Sequence, residues 1–182
     1  TIAGLPIAAV LADPRLARAA AAGLESVSTH GQSAALALPA QTPAPMVLLV
    51  HEWWGLNDYA RNRAHMLAQA GYTALAVDMY GTGEVATHPK DAKSFMETAL
   101  ADPETMNARF QAARSMMLKQ QQVAPGRLFA IGYCFGGAVV LEQARRGTDL
   151  AGVASFHGSL GTENPAKAGE IKARVLVATG QA

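Results

Sequence analysis

The sequence holds a single cysteine, Cys134, among its 182 residues. One cysteine cannot form a disulfide within the chain or supply the cysteine ligands of a zinc cluster, so both kinds of domain are excluded. A chain without disulfides fits a reducing compartment, and we expect a cytoplasmic location. The chain begins at Thr1 rather than methionine, so we expect further residues upstream, and a cleaved export signal stays open as an alternative.

The sequence also lacks an excess of charge of either sign and a long apolar run. Fifteen basic residues stand against fourteen acidic ones, and no basic cluster is interleaved with aromatic residues, so we expect no nucleic-acid partner. The apolar run over residues 7–12 is far too short to span a bilayer, so we expect no membrane partner.

The composition predicts one domain over residues 1–182, since half of the residues are hydrophobic and this is enough for a sizeable core. Residues 1–24 are predicted to form an N-terminal helical extension, because the stretch 18–23 is rich in alanine. Residues 25–28 and 34–38 predict an antiparallel hairpin at one sheet edge, with residues 30–32 as its turn.

From Met46 onward, strand-like apolar runs alternate with helix-like segments, which predicts a mostly parallel sheet with helices on both faces. A helix is predicted over residues 103–122, where methionine and other apolar residues recur at helical spacing and are expected to pack in the core. Pro125 and Gly126 predict a turn. The other predicted helices span 59–70 and 135–145, and the predicted strands span 46–50, 73–77, 128–131, 152–156 and 175–178.

Cys134 stands in residues 132–137, which read Gly-Tyr-Cys-Phe-Gly-Gly between an apolar strand and a helix-like stretch. This is the sequence form of a nucleophile elbow, in which the residues two before and two after the nucleophile must be small. The N-terminus of the following helix would favour a thiolate and hold an oxyanion. Most free cysteines are buried apolar residues, but the flanking glycines favour a nucleophile for acyl transfer.

Polar residues follow four of the predicted strands, and the carboxyl ends of strands are where an open α/β sheet gathers its ligands. We therefore expect these residues to converge in one crevice. They are His51, Glu52, Asp78, Cys134, Ser155 and His157.

Two further motifs accompany the elbow: residues 50–55 read Val-His-Glu-Trp-Trp-Gly and residues 78–81 read Asp-Met-Tyr-Gly. In this order and spacing the chain, from about Glu25 to its last residue, resembles the dienelactone hydrolase family of α/β hydrolases. The resemblance implies an α/β-hydrolase fold whose C-terminal part is missing. It also implies a hydrolase of carboxylic esters or lactones, with a small-molecule substrate, no cofactor and no metal.

The resemblance assigns a role to each matching residue. Cys134 matches the nucleophile, and Glu52 matches a carboxylate that lies near the thiol and helps to control its ionisation. The backbone N–H groups of Trp53 and Phe135 match the oxyanion hole. The side chains expected to line the substrate site are His51, Trp54, Tyr80 and His157.

Two departures from the family pattern limit this transfer. Residues 80–83 hold no arginine that could pair with a substrate carboxylate, and Arg61 and Arg63 are interpreted as surface charges, so the substrate is expected to differ from dienelactone. In this fold the catalytic acid and histidine follow the nucleophile in the chain, and both are expected beyond Ala182. His157 precedes the strand of the acid and is expected to line the site.

Two other functions stay open at this point. The chain could be a non-catalytic relic that binds ligands or partners, because the acid and histidine of the relay are absent from it. It could also be a glutamine amidotransferase-like enzyme, since that fold places cysteine on a similar elbow. The sequence predicts no oligomeric state.

Overall fold

A computed structural model of the chain describes residues 5–6, 25–29, 32–81 and 83–180. Within these residues the chain forms an eight-stranded sheet and four helices. The helices are α1 Asp58–Gln69, α2 Pro89–Leu100, α3 Pro103–Met117 and α4 Phe135–Arg145. The strands are β1 Leu5–Pro6, β2 Glu25–Thr29, β3 Gln32–Ala37, β4 Ala44–Val50, β5 Thr73–Val77, β6 Val123–Tyr133, β7 Gly152–Phe156 and β8 Arg174–Ala178.

The strands follow the order β1-β2-β3-β5-β4-β6-β7-β8 across the sheet. From β5 to β8 every neighbouring pair is parallel, whereas β3 is antiparallel to both β2 and β5. The carboxyl ends of β4, β5, β6 and β7 therefore meet at one edge of the sheet. The predicted α/β architecture with a mostly parallel sheet is confirmed.

The core lies on both faces of the sheet because side chains along each strand alternate between them. On one face, Met46, Leu48 and Val50 of β4 belong to a cluster that includes Phe110 and Met117 of α3. On the other face, Leu49 of β4 belongs to a cluster that includes three buried alanines of α1, Ala60, Ala64 and Ala68. The methionines of α3 are core residues, as predicted.

Helix starts follow the capping residues of the sequence. The side chain of Asn57 accepts a hydrogen bond from the N–H of Ala60, and that of Asp102 accepts one from Thr105. Helix α3 ends at Met117 rather than at residue 122, because residues 118–122 form turns that lead into β6. The side chain of Gln120 caps the carbonyl of Met116 at this end.

Helix α2 was not predicted from the sequence. It begins with Pro89 after a cap in which the side chain of His88 accepts a hydrogen bond from the N–H of Lys90. Proline at the first helical position and buried Ala92 and Ala99 at helical spacing were the available signals.

Strand β6 is longer than predicted, because Pro125 and Gly126 lie within it rather than before it. Ala44 of β4 pairs with Val123, and Met46 pairs with Leu128, so β6 bulges out between these two pairs. The exposed Gly126 adopts a positive φ of 68° inside this bulge.

The predicted hairpin is present as antiparallel β2 and β3, but Gln32 lies in β3 rather than in the turn. Strand β1 pairs with the outer side of β2, so the hairpin is not the edge of the sheet. The predicted helix over 18–23, the rest of the extension apart from β1, and residues 30–31 lie outside the described residues.

At the opposite edge lies β8, all of whose side chains are exposed. Its apolar residues Val175, Leu176 and Val177 are 44–54% accessible. Among the residues that the structure describes, none of the helices is long and apolar enough to cross a membrane.

Replacement of Phe110 by alanine is expected to destabilise the protein by about 3–5 kcal/mol, because a fully buried aromatic side chain leaves a cavity when it is removed. Urea unfolding would measure this loss. Leu100→Ala is the control, since Leu100 is 46% exposed. Equal midpoints for the two variants would contradict the packing of α3 against the sheet.

Candidate functional site

The turn between β6 and α4 places Cys134 at the carboxyl edge of the sheet. Cys134 has φ 54° and ψ −116°, and α4 begins at the next residue. Its N–H donates a hydrogen bond of 2.9 Å to the carbonyl of Phe156, at the end of β7. A positive φ in a residue other than glycine is costly and is typical of functional turns. The half-buried thiol therefore sits at the N-terminus of a helix, as predicted for an elbow.

The glycines around Cys134 are required by close backbone contacts. A Cβ on Gly132 would collide with the backbone of Gly136, and a Cβ on Gly136 would collide with the carbonyls of Val50 and His51. The predicted need for small residues two before and two after the cysteine is confirmed. These contacts bring the N-terminus of α4 against the end of β4.

Glu52, in the segment after β4, faces His157, which follows β7. Their closest atoms, Glu52 Oε1 and His157 Nε2, are 3.5 Å apart, and the two side chains are 26% and 53% exposed. Glu52 is also near Tyr133, the residue before Cys134: burial is the main cause that raises the pKa of Tyr133, and the Glu52 carboxylate adds to the rise. Glu52, His157 and the Cys134 turn thus lie together.

Trp53 and Trp54 continue the segment after β4, and their rings contact each other edge to face with centroids 5.3 Å apart. The hydroxyl of Tyr80 donates a 2.7 Å hydrogen bond to the carbonyl of Trp53. This bond orients the backbone of the segment that holds the expected oxyanion N–H. The ring of Tyr80 also contacts that of Phe135, with centroids 5.5 Å apart.

Tyr80 itself is 7% exposed. Burial raises the pKa of Tyr80, and the nearby Asp78 and Cys134 raise it further. The phenol therefore stays protonated and remains a donor to Trp53. The Tyr80 ring also packs edge to face against Phe95, so α2 contacts the site through this pair.

His51 and Asp78 lie beneath the crevice, with exposures of 1% and 0%. The N–H of Met79 donates to His51 Nε2, and His51 Nδ1 is within hydrogen-bond distance of the Glu52 carbonyl. His51 therefore contacts backbone groups, and its expected contact with substrate stays a prediction that this burial does not favour.

Asp78 organises the loop after β5, because it accepts hydrogen bonds from the N–H groups of Tyr80 and Gly83. Burial alone would raise the pKa of Asp78, but the adjacent His51 and the backbone N–H of Gly83 outweigh this effect and hold the pKa below its usual value. Asp78 is thus a buried carboxylate that stabilises the end of β5 and the loop after it.

Arg63 was interpreted as a surface charge, but the structure packs it against two tyrosine rings. Its guanidinium carbon lies 5.5 Å from the centroid of Tyr59 and 5.3 Å from that of Tyr133. Tyr133 is the main cause that raises the pKa of Arg63. The spacing of Tyr59 and Arg63 on α1, one turn apart, was the signal in the sequence.

Arg109 is a further cation near the site, and it was not predicted from the sequence. From α3 it donates a 2.7 Å hydrogen bond to the carbonyl of Met79, and its guanidinium lies against Gly81. It therefore supports the loop that carries Tyr80 from below.

The sequence profile of the dienelactone hydrolase family matches residues 33–182. The chain belongs to the dienelactone hydrolase family. The carboxymethylenebutenolidase of Pseudomonas putida is 28% identical over 137 residues, which cover 68% of this chain and 55% of that protein. The chain is also 30% identical to "Protein usf" of Aquifex pyrophilus over 110 residues. These residues cover 58% of this chain and 47% of that protein.

Solved structures of the family superpose closely on the chain. The structure named m3DLH has a TM-score of 0.76 and 37% identity, and a dienelactone hydrolase-like promiscuous phosphotriesterase from metagenomic libraries, P91, has a TM-score of 0.74 and 34% identity. Each match covers 86% of this chain and 67% of the other. The chain spans about half the length of the curated family relatives that it matches.

Replacement of Gly136 by alanine is expected to destabilise the protein by about 1–3 kcal/mol, because the added Cβ would force α4 away from the end of β4. Chemical denaturation would measure the change. Gly161→Ala is the matched control, since the nearest atom to its Cβ lies at 3.7 Å. Similar stability of both variants would argue against the close approach of helix and strand.

Replacement of Asp78 by asparagine is expected to lower stability near neutral pH by about 1–3 kcal/mol, because a hydrogen-bonded buried carboxylate is lost. The folded pKa of Asp78 is lowered, so its contribution is present above the unfolded value of 3.8 and is lost as the pH falls below it. Unfolding of both proteins between pH 7 and pH 3 should show the difference shrinking with acid. A difference that stays constant would refute this assignment.

Proposed function

We propose that the chain is the nucleophile-bearing part of a hydrolase that cleaves carboxylic esters or lactones. Membership of the dienelactone hydrolase family and the relationship to carboxymethylenebutenolidase support this reaction class. The observation that carries the proposal is the position of Cys134, at a strained turn between β6 and the N-terminus of α4. A small-molecule ester or lactone is the proposed substrate.

In this proposal, the Cys134 thiolate attacks the carbonyl carbon of the substrate. The helix N-terminus favours the thiolate over the thiol, and the Glu52 carboxylate near this turn helps to control the ionisation. The thiol proton passes to the catalytic histidine that is assigned below. As the carbonyl re-forms, the bond to the leaving oxygen breaks and this oxygen takes up the proton from the histidine, so that an alcohol or enol leaves and a thioester remains on Cys134. Water then cleaves the thioester and releases the acid.

The oxyanion of the tetrahedral intermediate is assigned to the backbone N–H groups of Trp53 and Phe135. Phe135 is the first residue of α4, where the N–H groups have no partner within the helix. The Tyr80 hydroxyl helps to hold the backbone of Trp53 in place, since it donates a hydrogen bond to the Trp53 carbonyl. One such donor typically contributes about 2.7–4 kcal/mol to transition-state stabilisation.

Aromatic and imidazole side chains border the proposed site. Trp54 and the Trp53 ring border the segment after β4, Tyr80 closes the side next to α2, and His157 stands at the end of β7. We assign substrate contact to the exposed parts of Trp54 and His157. Tyr80 contributes chiefly through its ring and its hydrogen bond to Trp53, because it is almost fully buried.

The catalytic acid and histidine are assigned to residues after β8, following the order of the family. His157 precedes β8 and is not proposed as the general base. A cytoplasmic location remains a prediction.

A second candidate function is a binding domain without catalysis, for which the exposed apolar side chains of β8 are the relevant observation. Such an apolar edge strand favours association with another chain. The family relationship gives no corresponding support to an amidotransferase.

The protein that carries this chain is expected to hydrolyse a small activated ester such as p-nitrophenyl acetate, and Cys134→Ala is expected to abolish this turnover because the attacking atom is removed. Release of p-nitrophenolate measures the rate. Ser115→Ala on α3 is the matched control, since it also removes one side-chain atom but from an exposed residue.

Full activity of Cys134→Ala, with the protein folded by circular dichroism, would sink the nucleophile assignment. Absence of turnover in the parent protein would favour the binding domain instead.

A further inference from the structure

His157 has an unusual backbone setting for an exposed side chain. Its φ is 44°, in the left-handed region that is costly for a residue with a Cβ. Its N–H donates a 2.7 Å hydrogen bond to the carbonyl of Ala178 in β8. The next residue, Gly158, lies so close to Gly137 and Ala138 of α4 that a Cβ there would collide with their backbone. The position of His157 is therefore fixed from β8 on one side and from α4 on the other.

The imidazole of His157 faces the Glu52 carboxylate, and Nε2 lies 3.5 Å from Glu52 Oε1. An exposed ion pair of this kind contributes little to folding stability, so stability does not explain why a strained backbone is kept here.

The groups around Glu52 come from every element that meets at this end of the sheet. Tyr133 at the end of β6 feels the Glu52 charge, and the guanidinium of Arg63 on α1 lies behind the ring of Tyr133. Cys134 follows Tyr133 directly, and its N–H binds the carbonyl of Phe156, the residue before His157. His51 and Asp78 lie beneath, and Tyr80 lies beside Phe135.

This arrangement places the Glu52 carboxylate near the turn that carries the Cys134 thiol. Two negative charges that lie close together raise the pKa of the group that ionises second, so an uncompensated Glu52 would oppose formation of the Cys134 thiolate. A nearby imidazole N–H, or an imidazolium, compensates part of the carboxylate charge. His157 is the side chain placed to do this.

We propose that His157 is a positioning residue that holds the Glu52 carboxylate and compensates its charge, so that the Cys134 thiol ionises at lower pH. The proposal rests on the proposed function only in the assignment of Cys134 and Glu52 to one site. It gives His157 a role through Glu52 rather than in proton transfer to the substrate.

The test is the pH dependence of Cys134 alkylation by iodoacetamide, followed by mass spectrometry. Only the thiolate reacts, and the chain has a single cysteine, so the pH midpoint reports this thiol alone. His157→Asn keeps an atom near the position of Nδ1, tolerates the positive φ and lacks the atom that faces Glu52. His157→Gln places an amide near the position of Nε2 and restores a hydrogen bond without the charge.

We expect His157→Asn to raise the midpoint by about half a unit to one unit, which slows alkylation about threefold to tenfold at a pH below both midpoints. His157→Gln should give an intermediate midpoint. Glu52→Gln should lower the midpoint, because it removes the opposing charge, and adding His157→Asn to Glu52→Gln should then have no effect. The control is His65→Gln, whose imidazole contacts Gln69 within α1.

An unchanged midpoint in both His157 variants would overturn the proposal. So would the same shift for His157→Asn in the presence and absence of Glu52, because His157 would then act independently of the carboxylate. Thermal unfolding of each variant checks that the fold is intact. If one single variant unfolds, the comparison of Glu52→Gln with and without His157→Asn still tests whether His157 acts through the carboxylate. Because alkylation requires no ester turnover, a failed hydrolysis assay and a failed midpoint shift are separate results.

Discussion

The close approach of the N-terminus of α4 to the carboxyl ends of β4 and β6 is the contact on which the site depends. Gly132 and Gly136 permit it, since a Cβ at either position would collide with backbone atoms. It turns the chain so sharply that Cys134 takes a positive φ, and it brings the helix N-terminus to the segment that carries Glu52 and Trp53. The thiol, the helix dipole and the backbone N–H groups therefore reach one place together.

The acidic and histidine side chains at this edge of the sheet are arranged at two depths, with different physical consequences. His51 and Asp78 are buried, and their hydrogen bonds hold the backbone after β4 and β5, so losing one would leave an unsatisfied polar group inside the protein. Glu52 and His157 are partly exposed, where an ion pair contributes only about 0–1 kcal/mol to stability. The buried pair stabilises the loops, whereas the exposed pair contributes little to stability, which agrees with the proposal that it acts on the ionisation of the thiol.

The relationship to the dienelactone hydrolase family explains why the Cys134 turn and the segment with Glu52 and Trp53 occur together. The chain nevertheless differs from the pattern of dienelactone-cleaving members. Residues 80–83 hold no arginine, and the cations near the site are instead engaged: Arg63 packs on Tyr59 and Tyr133, and Arg109 donates to the carbonyl of Met79. Both cations support aromatic residues of the site.

The sequence by itself predicted the features that depend on neighbours in the chain. Continuous apolar runs predicted β4 and β5, and the glycines around Cys134 predicted the elbow. It did not predict the bulge in β6, because pairing with β4 continues beyond Pro125 and Gly126 and local turn propensity cannot reveal a partner strand.

Only the tertiary structure decided which polar side chains meet. His51 and Glu52 are adjacent in the chain, yet one is buried beneath the crevice beside Asp78 and the other faces His157, more than a hundred residues away. The alternation of side chains at a strand end separates such neighbours, and the order of strands across the sheet selects their partners. Residue types along the chain thus determined the elbow, while strand order and burial determined the electrostatic surroundings of the thiol.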